Sequence, residues 1–185
     1  MIFEGEYLNG KKWNGKGKNY NDKGNLEFEG VYLNGERCNG KGKEYYGNGV
    51  LEFEGKYLNG KRNGKGKEYY EDGELGFEGE YLNGEKNGKG KEFNYNGKLK
   101  FEGEYKNGKR NGFGKELYSN GEVDFEGMYK DGERNGTGKE FFFNNKGILK
   151  FEGIYLNGKR HGYGKEYNYK GELIYEGKYQ NGEKC

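Results

Sequence analysis

Only one side chain of this 185-residue chain is a histidine, His161, the residue type most often used as a general base. It lies in the segment KRHGYG, and four matching segments hold an asparagine at the same place, namely Asn63, Asn87, Asn111 and Asn135. An amide cannot replace a catalytic base, which also needs a positioned partner and substrate. The sequence therefore predicts a structural role for His161.

The two cysteines, Cys38 and Cys185, form neither a disulfide framework nor the paired spacing of a zinc site. Trp13 occupies the position equivalent to Cys38 in another segment, and no histidine accompanies either cysteine to activate a thiol nucleophile. We therefore predict no metal site and no thiol chemistry. This cysteine usage is typical of a reducing compartment.

Glutamates and lysines recur in a pattern that is typical of a solvated ladder across strands. Glu29 and its equivalents pair with lysines such as Lys18 and Lys43, and each such pair contributes less than ~1 kcal/mol. The glycine-rich segment NGKGKE lacks both the GxxxxGK[ST] frame and the strand-to-helix context of a phosphate loop. We predict no enzyme activity, no catalytic residue and no cofactor.

The composition excludes several classes of protein. With 39 glycines, no proline and 30% hydrophobic residues, an ordinary globular core is not expected, yet 17% aromatic residues is too many for a disordered chain. The net charge of +2 gives no field that would favour nucleic acid. Because the apolar surface lies in rings, and a tyrosine hydroxyl can stay hydrated, the composition favours a thin structure.

A repeat organises the whole chain. The motif FEG or YEG begins repeats at residues 3, 28, 53, 77, 101, 125 and 151, and a partial copy at residue 175. The spacing changes in two places only, and insertions there indicate turns. Self-similarity at a fixed period is the signature of a repeat architecture. We predict that residues 1–185 form a single repeat array.

Each repeat contains the signals of a β-hairpin. In LGFEGEYL (75–82) apolar and charged residues alternate with a period of two, which indicates a strand. Asn83-Gly84 follows, and Asn-Gly is the strongest short signal for a hairpin turn. The return segment GKGKEF (88–93) leads to a second turn at Asn96-Gly97. The predicted fold is all-β: an elongated, twisted antiparallel meander ribbon of about fifteen strands, two per repeat.

The hairpin predicts where the aromatic residues lie. If the turn is Asn59 to Arg62, Gly55 lies opposite Gly66, and the pair leaves a trough in which rings can rest. The aromatic residue after the second glycine, such as Tyr69, falls on the opposite face by simple alternation. Either a bulge near the Lys-Glu pair restores it to the aromatic face, which we favour, or both faces carry apolar residues.

The repeat core resembles the MORN repeat, whose consensus is YEGEWxNGxxHGxG. It reads FEGEYKNGKRNGFG at residues 101–114 and FEGIYLNGKRHGYG at residues 151–164. Phe replaces the first Tyr of the consensus, Tyr replaces Trp, and Asn replaces His in six copies. The resemblance implies a non-catalytic scaffold, dimerisation, and attachment near membranes or cytoskeleton.

The positions that differ between repeats are the best candidates for a binding surface. Two of them, the residue before the tyrosine of the first strand and the residue before the last glycine of the core, are expected to be neighbours within a hairpin, as in Met128 with Thr137. Early repeats hold charged residues there and later ones hold apolar residues. Exposed apolar patches indicate partners. The predicted partner-binding surface is Phe113, Met128, Phe142, Phe143, Ile154 and Tyr163.

We therefore expect a scaffold for protein–protein interaction, with self-association as a homodimer through the open C-terminal edge strand. A first alternative is a peripheral membrane module in which basic hairpin tips bind anionic lipid such as phosphoinositides. Those tips are Lys61, Arg62, Lys109, Arg110, Lys159 and Arg160. A second alternative is a carbohydrate-binding aromatic hairpin repeat. The expected location is cytoplasmic, at a membrane or the cytoskeleton.

Overall fold

A computed structural model of the chain describes residues 3–22, 24, 26–144 and 147–185. In these residues the regular structure consists of sixteen strands and the turns between them. The strands follow one another in chain order in one open antiparallel meander, which confirms the predicted fold class. The strand beyond the expected fifteen is a two-residue strand near the C-terminus.

The first eight strands are β1 (Phe3–Leu8), β2 (Lys11–Tyr20), β3 (Leu26–Leu33), β4 (Glu36–Tyr45), β5 (Leu51–Leu58), β6 (Lys61–Tyr69), β7 (Leu75–Leu82) and β8 (Glu85–Phe93). The second eight are β9 (Leu99–Lys106), β10 (Lys109–Leu117), β11 (Val123–Lys130), β12 (Glu133–Phe141), β13 (Leu149–Leu156), β14 (Lys159–Tyr167), β15 (Leu173–Gln180) and β16 (Glu183–Lys184).

The chain forms two compact units. The N-terminal unit contains the residues up to Gly88 together with Tyr95–Gly97, and the C-terminal unit contains Lys89–Asn94 together with Lys98–Cys185. Each unit has one face that carries its buried phenylalanines, here called the aromatic face, and an opposite open face. The prediction of a single array over the whole chain stays a prediction.

The turn inside each repeat has the conformation that Asn-Gly favours. Asn59 has a φ of 50° and Gly60 a φ of 74°, and two positive φ values in a row are the mark of a type I′ turn. The turn between repeats is built differently, because the N–H of Gly73 donates to the carbonyl of Tyr70 at 2.9 Å. Gly73 has a φ of 91°, which a side chain would oppose. Both predicted kinds of turn are therefore present.

Paired glycines hold the aromatic core, as predicted. Gly55 lies opposite Gly66. The ring of Phe53 covers both, because a Cβ added at Gly55 would lie 2.5 Å from that ring and one added at Gly66 would lie 2.6 Å from it. Phe53 is fully buried as a result. The strand glycines thus form seats for rings.

The rings form a continuous row in each unit. In the C-terminal unit the centre of the Phe125 ring lies 5.6 Å from that of Tyr129 in its own repeat and 5.1 Å from that of Tyr155 in the next, both edge to face. Edge-to-face pairs are the favoured arrangement of aromatic rings and add to the energy of burial. The phenylalanines of these rows are buried: Phe28, Phe53 and Phe77 in one unit, and Phe101, Phe125 and Phe151 in the other.

A bulge follows the Lys-Glu pair, as favoured from the sequence, but it does not move the next ring. Glu68 lies opposite Phe77 and Tyr69 opposite Leu75, so Gly76 is the extra residue. Tyr69 shares its face with Lys67 rather than with the phenylalanines. Its hydroxyl donates to Glu54 Oε1 at 2.9 Å, and Glu54 is the cross-strand neighbour of Lys67. Both faces therefore carry aromatic residues, and the prediction that the bulge restores the ring is wrong.

Candidate functional site

Four of the six residues predicted for the partner-binding surface lie in one row on the open face of the C-terminal unit. They alternate with residues that face the phenylalanines, since each is next to a glycine of the core. Phe113 is 46% exposed, Ile154 42% and Tyr163 64%, and Met128 is exposed as well. These side chains therefore do not belong to the packed core.

The neighbours in this row differ from the prediction. Met128 lies opposite Phe113 of the preceding strand, and Ile154 lies opposite Thr137. The predicted pairing of Met128 with Thr137 inside one hairpin is wrong. The reason is a bulge, which the β9–β10, β11–β12 and β13–β14 hairpins all contain. In the second of these Gly136 has a φ of 99°, and a Cβ added to it would lie 3.1 Å from Met128 Cβ. The variable positions thus meet between repeats.

A shallow groove of about 440 Å³ runs beside this row. Its floor is made of the paired glycines, which are covered by phenylalanine rings on the aromatic face and carry no side chain towards the open face. Phe113, Ile154 and Tyr163 form one wall. Lysines and glutamates of the cross-strand ladder form the other. The groove is therefore apolar along one side and charged along the other.

The charged wall is the ladder predicted from the sequence. Lys115 Nζ lies 3.5 Å from Glu126 Oε2, and Lys165 Nζ lies 3.5 Å from Glu176 Oε1. Lys18 with Glu29 and Lys43 with Glu54 form the same pairs in the N-terminal unit, at 3.4 and 3.6 Å. Because these side chains are partly exposed, each pair contributes little to stability.

Phe142 and Phe143 are not among the residues that line this groove. Both follow β12, at the turn between repeats. The Phe142 ring stacks on Tyr169 with centres 4.1 Å apart, and the Phe143 ring contacts Tyr118 at 5.1 Å. The predicted surface therefore divides into a groove row and a separate pair at the turn.

The residues predicted for the basic tips fall into two groups, exposed lysines and arginines that lie on the aromatic face. Lys61, Lys109 and Lys159 are exposed beside the Asn-Gly turns. The arginines that follow them turn onto the aromatic face: the guanidinium of Arg62 lies 4.1 Å from the centre of the Phe53 ring, and that of Arg160 lies 4.2 Å from Phe151. Only the lysines keep their charged groups at the tips.

Each of these arginines joins two repeats. Arg110 contacts Glu92 at 2.6 Å and Glu116 at 2.7 Å, and Tyr105 donates its hydroxyl to Glu92 at 2.7 Å. Burial raises the pKa of the Tyr105 hydroxyl, and its hydrogen bond to Glu92 raises that pKa further. The contact of one arginine with glutamates of two repeats recurs with Arg134 and Arg160. The arginines and glutamates therefore form a network of charged hydrogen bonds that covers the phenylalanine rings.

The sequence contains a signal for this network, although the network was not among the sequence-based predictions. A basic residue stands two places after the glycine of the turn inside each repeat, as Arg160 does after Gly158. In the later repeats a glutamate stands opposite the phenylalanine of the next repeat, as Glu140 does to Phe151. Burial by itself raises the pKa of Glu140, but hydrogen bonds from Arg160 and Tyr155, with the charges of Arg160 and Lys150, outweigh it and lower that pKa. Side chains that lie directly opposite each other on neighbouring strands share a face of the sheet, so a glutamate opposite a phenylalanine lies on the aromatic face.

Cys38 and His161, the residues considered for catalysis, do not lie in a catalytic arrangement among the residues that the structure describes. Cys38 is buried, and its Sγ lies 3.7 Å from Asn59 Oδ1. His161 lies opposite Ile154, next to the bulge of its hairpin. Over residues 3–22, 24, 26–144 and 147–185, no group of three or more His, Cys, Asp or Glu side chains is placed to hold a metal ion.

Comparison with known proteins agrees with the repeat architecture. No helix among the residues that the structure describes could span a membrane, and no curated protein matches the chain. The model of the MORN repeat family matches six tandem stretches, at residues 28–50, 53–74, 77–98, 101–123, 125–146 and 151–172. These stretches cover more than half of the chain and coincide with the hairpins described above. The chain therefore belongs to the MORN repeat family.

Proposed function

We propose that this protein is a non-catalytic scaffold that binds a protein partner through the groove on the open face of its C-terminal unit. MORN repeats are generally associated with scaffolds for membrane and protein interaction, and the family is non-catalytic. The groove row, Phe113, Met128, Ile154 and Tyr163, is the observation that carries the proposal.

The exposure of this row needs an explanation other than packing. The repeats already bury a row of phenylalanines together with tyrosines such as Tyr105, Tyr129 and Tyr155 on the aromatic face, so the core does not require apolar side chains on the other face. In the N-terminal unit the corresponding positions hold Lys41 opposite Lys56 and Lys65 opposite Glu80. Charged residues therefore satisfy the fold at these positions. The N-terminal unit holds one apolar residue at such a position, Val31 opposite Lys16, whereas the C-terminal unit holds a row of them. Such a row is typical of a contact surface.

The proposal is tested by affinity capture with the wild-type chain and with the triple variant Met128→Glu, Ile154→Glu, Tyr163→Glu. We expect proteins retained by the wild type to be lost by the variant. Leu82→Glu is the matched control, because Leu82 is an exposed apolar residue of the N-terminal unit. If the triple variant folds and retains the same proteins as the wild type, the groove is not the binding surface.

Attachment to an anionic membrane is the second candidate, supported by the exposed Lys61, Lys109 and Lys159 at the tips. A lysine close to an anionic surface contributes about 1 kcal/mol. In co-sedimentation with vesicles containing anionic lipid, the triple Lys→Glu variant should lose binding. Unchanged sedimentation of that variant would rule out the tips as a lipid site.

A further inference from the structure

The charges on the open face of the C-terminal unit follow an order that is complementary to the same order read backwards. On the six strands from β10 to β15 the ladder reads Lys115, Glu126, Lys139, Glu152, Lys165 and Glu176. It begins with a cation and ends with an anion, so reading it backwards exchanges every sign. We infer that this face binds the same face of a second copy of the chain, across a two-fold axis parallel to the strands. This inference rests on the proposed function and names its partner.

A two-fold axis parallel to the strands reverses the order of the strands in the second copy. The ladder of one copy therefore faces the ladder of the other, and the groove row of one copy faces the groove row of the other. With the axis between β12 and β13, Lys139 faces Glu152 of the second copy. Lys115 then faces Glu176, and Glu126 faces Lys165. Two-fold symmetry forms each of these ion pairs twice, because an isologous interface uses the same patch on both subunits.

The groove row matches itself under the same operation. Met128 faces Tyr163 of the second copy, a contact of sulfur with an aromatic ring. Thr137 faces Ile154, and Phe113 faces Lys178, an ammonium able to lie on a ring. Lys178 Nζ already lies 5.5 Å from the Tyr163 ring within one chain, so it is positioned among the exposed rings. Two independent rows thus select one register.

Neighbouring registers are worse. Moving the axis by half a strand spacing, onto β12 or β13, places lysine against lysine and glutamate against glutamate along the ladder, which is repulsive. Moving it by one full strand spacing, to between β11 and β12, restores opposite charges but places Glu104 against the face of Tyr163, which carries negative charge density. The register between β12 and β13 alone uses all six strands with no repulsive contact.

The interface should be weak and sensitive to salt. Six strands at a spacing of about 4.8 Å span roughly 24 Å. An interface of this length, only two rows of side chains wide, is at the small end of the range for specific protein–protein interfaces. Its ion pairs form between partly exposed groups, which salt screens. We therefore expect a dimer in exchange with the monomer, which dissociates as the ionic strength rises.

The test is sedimentation equilibrium of the full chain with two charge reversals, Lys139→Glu and Glu152→Lys. Each variant alone should dimerise at least tenfold more weakly than the wild type, because a reversal creates two like-charge contacts in the dimer. An equimolar mixture of the two variants should recover the wild-type affinity, since in the mixed dimer both contacts join opposite charges. The double variant should also recover it.

Recovery in the mixture separates contact between chains from damage within a chain. Lys139 and Glu152 are cross-strand neighbours in one chain as well, so each single variant loses that pair, and mixing cannot restore it. Lys67→Glu is the matched control, because Lys67 lies opposite Glu78 in the ladder of the N-terminal unit. This control should dimerise like the wild type.

Three results would overturn the inference: a wild type that stays monomeric at the highest concentration reached, reversals that leave the dimer unchanged, or a mixture no tighter than its components. The second result would point instead to pairing through the C-terminal edge of the sheet, which β16 and the part of β15 beyond it form. The proposed function is judged separately. A monomeric wild type whose captured proteins still depend on Met128, Ile154 and Tyr163 would end the inference and leave the proposed function standing.

Discussion

The guanidinium of Arg110 lies 3.9 Å from the centre of the Phe101 ring and covers its outer face. The inner side of the same ring rests on the paired glycines Gly103 and Gly114. The buried phenylalanines Phe101, Phe125 and Phe151 are each held in this way between a backbone trough and an arginine. This arrangement lets a sheet of single thickness bury its rings on a face that would otherwise be wet.

Replacing Arg110 by alanine should destabilise the C-terminal unit. The change uncovers Phe101 and leaves Glu92 and Glu116 without their shared cation, and the arginine side chain is only 16% exposed. We expect a loss of about 2 kcal/mol in the free energy of unfolding, measured by urea titration. Lys109→Ala, at the exposed neighbouring position, should change it by less than about 0.5 kcal/mol. Equal effects of the two changes would contradict the role given to Arg110.

Adding one methyl group at Gly66 should disturb the ring seat. Its Cβ would lie 2.6 Å from two atoms of the Phe53 ring, which is already fully buried. We expect Gly66→Ala to cost about 1 to 3 kcal/mol, as overpacking of a core does. Gly47→Ala is the control, because a Cβ there meets nothing within 4 Å. Thermal unfolding that is the same for both variants would show that the trough is not a seat.

The turn asparagines should tolerate glycine and oppose β-branched residues. Asn83 has a φ of 53°, in the left-handed region. Asn83→Val should lower the free energy of unfolding by about 1 to 2 kcal/mol, because a branched side chain is strained there. Asn83→Gly should be close to neutral. Urea titration of the two variants compares them directly, and a neutral valine variant would mean that the turn relaxes to another form.

The glutamates of the aromatic face should make stability depend on pH. The pKa of Glu140 is lowered in the folded chain, since its hydrogen bonds and nearby cations outweigh the effect of burial. A lowered folded pKa gives stability that is present above the unfolded pKa of about 4.5 and is lost as pH falls through the folded value. The free energy of unfolding should therefore fall as the pH is lowered below about 5.

The variant Glu140→Gln should show a shallower fall over the same range, because it removes the titrating group. Glu85→Gln, at an exposed turn position, should follow the wild type. Parallel curves for Glu140→Gln and the wild type would show that this carboxylate does not contribute to the pH dependence.

The period of FEG and Asn-Gly determined most of the fold. Asn59-Gly60 specifies a turn by local conformation, and alternation from that turn places Gly55 opposite Gly66 with Phe53 beside them. These relations hold between residues close in sequence. The row of apolar side chains in the later repeats was also evident from the sequence, because it departs from a repeated pattern.

Only the tertiary structure decided which residues meet between repeats and on which face. A bulge at Gly136 separates Met128 from Thr137 within the hairpin, so that Met128 meets Phe113 of the preceding strand, and another bulge at Gly76 leaves Tyr69 on the open face. Arg110 reads as an exposed tip in the sequence, yet it folds back over Phe101. Alternation predicts a face only while the register is regular, and a long side chain beside a turn takes its position from the ring and carboxylates of neighbouring strands. Those contacts exist only once the repeats are stacked.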